Sequence, residues 1–68
     1  MRLTVMTERE EDGRWIAEVV ELPGVLVYGN DVREAIVKAK ALALRVLADR
    51  LEHGEDEVAT TAIEFAAA

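Results

Sequence analysis

The sequence predicts an α+β domain in which one long helix covers a four-stranded sheet. Three observations predict it: side-chain alternation over residues 2–8, an Asp-Gly turn signal at 12–13, and an uninterrupted run of helix-forming residues from Val32 to about His53. A chain of 68 residues accommodates one domain, spanning 1–68. The element order then predicts a three-stranded antiparallel meander, a crossover helix and a fourth strand (β-β-β-α-β), arranged in two layers.

The first half of the chain is predicted to form three strands joined by tight turns. The alternation over 2–8 gives the first strand, and the Asp-Gly pair at 12–13 turns the chain into a second strand over 14–20. The Pro-Gly pair at 23–24 predicts the next turn, because proline fixes φ and glycine tolerates a positive φ. A short third strand follows over 25–28.

The helix and the fourth strand are predicted in the second half. Asp31 and Glu34 have the spacing of a capping box, so the helix begins directly after Asp31. Gly54 is predicted to end it in the left-handed conformation. The acidic run 55–57 predicts a loop, and residues 58–66 alternate as a fourth strand.

Composition excludes several classes of site and partner. The chain has no cysteine and one histidine, so a disulfide and a four-ligand zinc site are both excluded. Fourteen acidic against eight basic residues give a net charge of −6, which disfavours nucleic-acid phosphates and anionic membranes and favours a basic protein. No apolar run approaches the roughly 18 residues of a membrane span. We expect a cytoplasmic protein without a cofactor.

No arrangement of residues typical of catalysis is found in the sequence. There is no serine or cysteine nucleophile, and His53 is expected beside the last helical carbonyls rather than acting as a base or a ligand. Glu18 and Glu64 are the mid-strand carboxylates, and the acidic clusters at 8–12 and 55–57 are expected to be solvated turns. We therefore predict no enzyme, no catalytic residue and no metal site.

The helix carries more apolar surface than one sheet needs. One side is predicted to face the core, and a second row lies about 100° around the helix from it. Two interpretations remain open: the second row consists of ordinary exposed helix formers, or it is a contact surface. The third strand is also apolar on both faces, which predicts a homo-oligomer, a dimer or a tetramer. The predicted interface residues are Val27, Val37, Ala41, Leu44 and Ala48.

An ordered set of short motifs resembles the HicB-like antitoxin family and spans nearly the whole chain. The motifs are Glu11-Asp12-Gly13-Arg14-Trp15-Ile16-Ala17-Glu18, Leu22-Pro23-Gly24, Gly29-Asn30-Asp31, Glu34-Ala35 and Lys38-Ala39-Lys40. The resemblance implies a partial ribonuclease-H-like fold. It also implies direct binding and neutralisation of a small basic RNA-cleaving toxin of the HicA type. The acidic residues predicted to contact such a partner are Glu10, Glu11, Asp12, Glu55, Asp56 and Glu57.

The resemblance also sets limits on the expected function. Where the family commonly has Pro-Gly-Cys, this chain has Pro23-Gly24-Val25. Antitoxins of the family add a C-terminal DNA-binding module, and the sequence ends at Ala68, so operator binding by this chain is not expected. Ribonuclease-H-like enzymes carry an aspartate in the first strand, and residues 3–7 contain none, which argues against nuclease activity. The alternative function is a self-associating, non-catalytic interaction module.

Overall fold

The computed structural model describes residues 1–54 and 62–68, which form four strands and one helix. The strands are β1 (Arg2–Arg9), β2 (Trp15–Val19), β3 (Leu26–Gly29) and β4 (Glu64–Ala67), and the helix is α1 (Val32–His53). The predicted α+β class, with one long helix and a four-stranded sheet, is confirmed.

The sheet is mixed, with strand order β3-β2-β1-β4. β1 pairs antiparallel with β2, aligning Val5 with Val19, and β2 pairs antiparallel with β3. β4 pairs parallel with β1, aligning Leu3 with Phe65. Parallel neighbours require a long crossover, and α1 lies within that connection. β3 and β4 are therefore the edge strands of the described sheet.

Both predicted tight turns are present. The β1–β2 hairpin is closed by the Gly13 amide, which donates to the Glu10 carbonyl at 3.0 Å, and Gly13 has a φ of 93°. In the second turn the Val25 amide donates to the Leu22 carbonyl at 3.1 Å. Gly24 follows Pro23 in this turn with a φ of 91°, as a type II turn requires.

The helix has the predicted bounds because both of its ends are capped. The Asp31 carboxylate accepts a hydrogen bond from the Glu34 amide at 2.7 Å. The Glu34 carboxylate accepts in return from the Asn30 amide at 3.1 Å, one residue earlier than in the usual capping box. At the other end Gly54 has a φ of 65°, and its amide donates to the Leu51 carbonyl at 3.3 Å.

The core lies between α1 and one face of the sheet. Its buried residues are Leu3, Val5, Ala17, Val19, Leu22, Val25, Ala35, Ala39, Ala43 and Leu47. The helix contributes mainly alanines, and Ala35, Ala39 and Ala43 are fully buried. Such small side chains allow the helix axis to approach the sheet closely. The opposite face of the sheet is left without a covering element in the described part of the chain.

β4 is shorter than the predicted strand over 58–66 and begins at Glu64. The Glu64 amide donates to the Met1 carbonyl at 2.8 Å, and the terminal ammonium of Met1 donates to the Ala62 carbonyl at 2.7 Å. Pairing with the start of β1 therefore sets where β4 begins. The stretch 58–61 of the predicted strand lies outside the described residues.

Candidate interaction surfaces

The acidic hairpin at the β1–β2 turn contains three predicted contact residues, Glu10, Glu11 and Asp12. Asp12 is already paired, because its carboxylate accepts from the Arg14 amide at 3.0 Å and from Arg14 Nε at 2.7 Å. These two hydrogen bonds lower the pKa of Asp12 below its ordinary value, with the amide as the larger cause. The Arg14 guanidinium also lies 4.6 Å from the centre of the Tyr28 ring. Arg14 therefore offsets the charge of Asp12, and the hairpin tip carries less net negative charge than its three acidic residues suggest.

The other predicted acidic contacts, Glu55, Asp56 and Glu57, lie outside the described residues. Glu11 is exposed, whereas Glu10 is half-buried and its carbonyl accepts from the Gly13 amide. Of the three predicted contact residues in the hairpin, Glu11 is thus the exposed one that Arg14 does not engage.

The side of the sheet facing away from α1 exposes apolar residues. We define the open sheet face by Met6, Glu8, Ile16, Glu18, Leu26 and Tyr28, which the antiparallel register brings to one side. Met6, Leu26 and Tyr28 have exposed fractions of 45%, 47% and 42%. Apolar side chains exposed together are typical of interaction surfaces. The sequence predicted only one property of this face, namely that the strand over residues 25–28 is apolar on both sides.

A second apolar surface runs along α1. The predicted row Val37, Ala41, Leu44 and Ala48 continues to Leu51, with successive spacings of four and three residues; we call these five residues the helix seam. Val37, Leu44 and Leu51 have exposed fractions of 58%, 46% and 51%. Apolar residues at this spacing are the pattern with which one helix packs against another.

Three of the predicted interface residues meet in one groove. The groove has a volume of about 340 Å³ and is lined by Val27, Val37, Lys38, Ala41, Leu42 and Arg45. Val27 is half-buried against the core on the helix side of β3, so it does not belong to the open sheet face. The groove therefore joins the edge strand β3 to the start of the helix seam, and Leu44 and Ala48 extend this surface along α1.

A cavity of about 470 Å³ lies where β1 extends beyond the end of β4. Its lining includes Val5, Ile36 and Phe65 from the helix side of the sheet, together with Lys40. The Lys40 ammonium lies 5.7 Å from the centre of the Phe65 ring, within range of a cation–π contact. The sequence did not predict this cavity, because it depends on where β4 stops.

Three other titratable residues singled out in the sequence, Glu34, Glu64 and His53, have structural contacts. Glu34 caps the helix and lies 3.2 Å from Lys38 Nζ; the Asn30 amide and then Lys38 lower the pKa of Glu34. Glu64 lies 3.5 Å from Arg2 Nε. His53 Nδ1 lies 2.8 Å from the Asp49 carbonyl oxygen, close to the helix end where it was predicted.

No group of three acidic, histidine or cysteine side chains with metal-binding spacing occurs within residues 1–54 and 62–68. In the same part of the chain, α1 lacks the hydropathy needed to span a lipid bilayer.

The chain matches no protein-family model, no curated protein and no solved structure.

Proposed function

We propose that this protein is a HicB-like antitoxin that binds and masks a small basic RNA-cleaving toxin of the HicA type. The ordered motif set is the observation that carries the proposal. The structure supports it in that the motifs have defined tasks in the fold: 12–13 and 23–24 form tight turns, and Asp31 caps the helix. Motifs that build the fold are the ones a shared fold would retain.

The proposal includes the partial ribonuclease-H-like fold that the family resemblance implies. The strand order β3-β2-β1-β4, with one helix on one face, supports this assignment. In this proposal the domain is a binding module rather than a nuclease, since the first strand carries no aspartate. Its function then depends on surfaces rather than on a reactive group.

Charge supports a basic partner. The net charge of −6 attracts a cationic protein at long range and raises the rate of encounter with it. Binding would mask the toxin by covering its RNA-contacting surface, which must itself be basic to bind phosphates. Acidic side chains on the antitoxin are then the natural counterparts of those cations.

Co-purification with a HicA-type toxin encoded beside its gene tests this function. The tagged protein is expected to retain the toxin in stoichiometric amount and to abolish RNA cleavage at equimolar concentration. A charge-matched acidic protein of similar size, added at the same concentration, controls for non-specific binding of a basic toxin. Full RNA cleavage in the presence of excess protein, with no toxin retained, would contradict the proposal.

A second candidate function is self-association as a non-catalytic interaction module. The specific observation in its favour is the groove that joins edge strand β3 to the helix seam. A second copy placed there would pair with the free edge of β3 and cover Val37 and Leu44. Light scattering on the purified protein tests this candidate: a dimer or tetramer supports it, and a monomer at all concentrations contradicts it.

A further inference from the structure

The open sheet face combines apolar and acidic side chains in two cross-strand rows. The register aligns Glu8, Ile16 and Tyr28 in one row and Met6, Glu18 and Leu26 in the next. Each carboxylate therefore lies among apolar side chains of its own row and the neighbouring row. A partner that fits this surface must offer both apolar and charged groups.

Glu8 and Glu18 are unpaired carboxylates of this face, whereas the Arg14 guanidinium, 4.6 Å from the centre of the Tyr28 ring, is paired with Asp12. Neither side-chain carboxylate forms a hydrogen bond or an ion pair within the part of the chain that the structure describes. Glu64, by contrast, lies 3.5 Å from an arginine, Arg2 Nε. Two unpaired carboxylates on a half-apolar surface favour a cationic ligand.

A small depression lies between these two glutamates. It has a volume of about 60 Å³ and is lined by Met6, Thr7, Glu8, Ile16 and Glu18. Lysine and arginine suit such a place, because their methylene stems pack on apolar groups while the charged end reaches a carboxylate.

We propose that the open sheet face is the docking surface for a basic amphipathic helix of the toxin. One lysine or arginine of that helix enters the depression between Glu8 and Glu18, and apolar residues on the same side of the helix pack on Met6, Leu26 and Tyr28. The proposal rests on the proposed antitoxin function and identifies the surface and the chemistry through which it acts.

Two observations favour a basic amphipathic helix as the ligand of the open sheet face. Glu8 and Glu18 disfavour an anionic ligand such as nucleic acid or an acidic membrane, since the Arg14 cation beside Tyr28 is already paired with Asp12. The opposite face of the same sheet already takes a helix, and a helix with one apolar side can bury that side against an apolar sheet face in the same way. A basic amphipathic helix satisfies both conditions.

Backbone amide NMR with two probes tests the docking surface. The first probe is a HicA-type toxin made inactive by substitution. The second is a synthetic leucine–lysine peptide of roughly 18 residues, about five helical turns, with leucines on one side. We expect both probes to shift the amides of Met6, Glu8, Ile16, Glu18 and Leu26. A peptide of the same composition with scrambled order is expected to shift them far less.

Affinity measurements on charge-matched variants test the role of the glutamates. Glu18→Lys is expected to weaken binding of both probes about tenfold or more, because it places a cation beside the bound cation. Glu52→Lys on α1 makes the same charge change away from the sheet and is expected to weaken binding about threefold or less. Glu18→Gln removes the negative charge without adding a positive one. Its loss of affinity is expected to lie between those of Glu18→Lys and Glu52→Lys. Circular dichroism confirms that each variant is folded.

The outcomes separate this inference from the proposed function. Toxin binding with amide shifts confined to the hairpin or the helix seam would overturn the docking surface and leave the antitoxin function standing. Peptide binding at the open sheet face without any toxin binding would support the surface and contradict the function. Equal weakening by Glu18→Lys and Glu52→Lys would overturn the assignment. Amide shifts that depend on the protein's own concentration, with no effect of either probe, would show that a second copy binds the open sheet face. That result would also overturn the inference.

Discussion

Gly29, the last residue of β3, lies against the backbone of Ala35 in the first turns of α1. A Cβ atom added at Gly29 would lie 2.5 Å from the Ala35 backbone nitrogen and 2.9 Å from its Cα. Neither atom belongs to a flexible side chain, so the helix itself must move to make room. The absence of a side chain at Gly29 is therefore what allows α1 to pack on the end of β3.

Gly29→Ala is expected to destabilise the fold by about 1–3 kcal/mol, the usual range for overpacking a tight site. Urea denaturation followed by circular dichroism measures the free energy of unfolding. Because the contact is with backbone atoms, adding Ala35→Gly should not restore stability. A double variant as stable as the wild type would contradict this account.

The buried alanines of α1 give a second test of close packing. Ala39 is fully buried against the sheet, whereas Ala48 on the same helix is exposed. Ala39→Leu is expected to lower the free energy of unfolding by about 1–3 kcal/mol, because the added methylene groups have no space. Ala48→Leu is the matched control and should lower it by no more than about 0.5 kcal/mol. Equal losses at the two positions would show that helix propensity, not packing, decides the result.

Local signals explain why most of the fold was predictable. The turns at 12–13 and 23–24 and the helix cap at Asp31 each depend on a few neighbouring residues with strong backbone preferences. Their predicted positions agree with the structure. The bounds of β4 were not predictable in the same way, because Glu64 begins the strand through a hydrogen bond to Met1, at the other end of the chain.

The candidate surfaces were predictable only in part. Helical periodicity identified the exposed row at Val37 and Leu44, since angular position on a helix follows from the sequence. Strand alternation identifies two faces without saying which is covered, so the sequence did not place Val27 on the helix side of β3, where it lines the groove with Val37. The pairing of Glu8 with Ile16 required the register of the hairpin.

The helix cap can be tested separately from packing. Asp31→Ala removes the oxygen that accepts from the Glu34 amide, and we expect a loss of about 1 kcal/mol in the free energy of unfolding. Asp31→Asn keeps an oxygen acceptor at the same place and should lower the free energy of unfolding by only a few tenths of a kcal/mol. Urea denaturation of the two variants in parallel checks the prediction. A cost for Asp31→Asn equal to that of Asp31→Ala would argue that charge, rather than the hydrogen bond, is what matters.

Stability is expected to decrease in acid. The Glu21 carboxylate accepts from the Thr4 amide and from the Thr4 hydroxyl, each at 2.7 Å, and these bonds hold the pKa of Glu21 below its ordinary value of 4.5. A carboxyl group with a lowered pKa in the folded state stabilises fully above its ordinary pKa. That stabilisation is lost as the pH falls through the lowered value. The urea midpoint should therefore fall as the pH is taken below 4.5.

Glu21→Gln isolates this contribution. The variant should be less stable than the wild type at neutral pH, and the difference should shrink in acid as the wild-type carboxyl group becomes protonated. Glu11→Gln makes the same charge change at a residue without a hydrogen bond in the described part of the chain. Its pH profile should follow the wild type. A Glu21→Gln difference that stays constant with pH would contradict the role of the ionised carboxylate.

The helix seam is tested by a charge placed in its centre. Leu44 lies midway along the seam, so Leu44→Asp is expected to reduce any oligomer to monomers, since an unpaired carboxylate is costly to bury in an interface. Leu44→Ala removes apolar area while improving helix propensity and should weaken association without harming the fold. Val20→Asp places the same charge on a different exposed apolar residue, away from α1, and should leave the mass in solution unchanged. If light scattering shows the same oligomer for Leu44→Asp and the wild type, the helix seam is not part of the interface. Dissociation by Val20→Asp instead would assign the contact to the sheet.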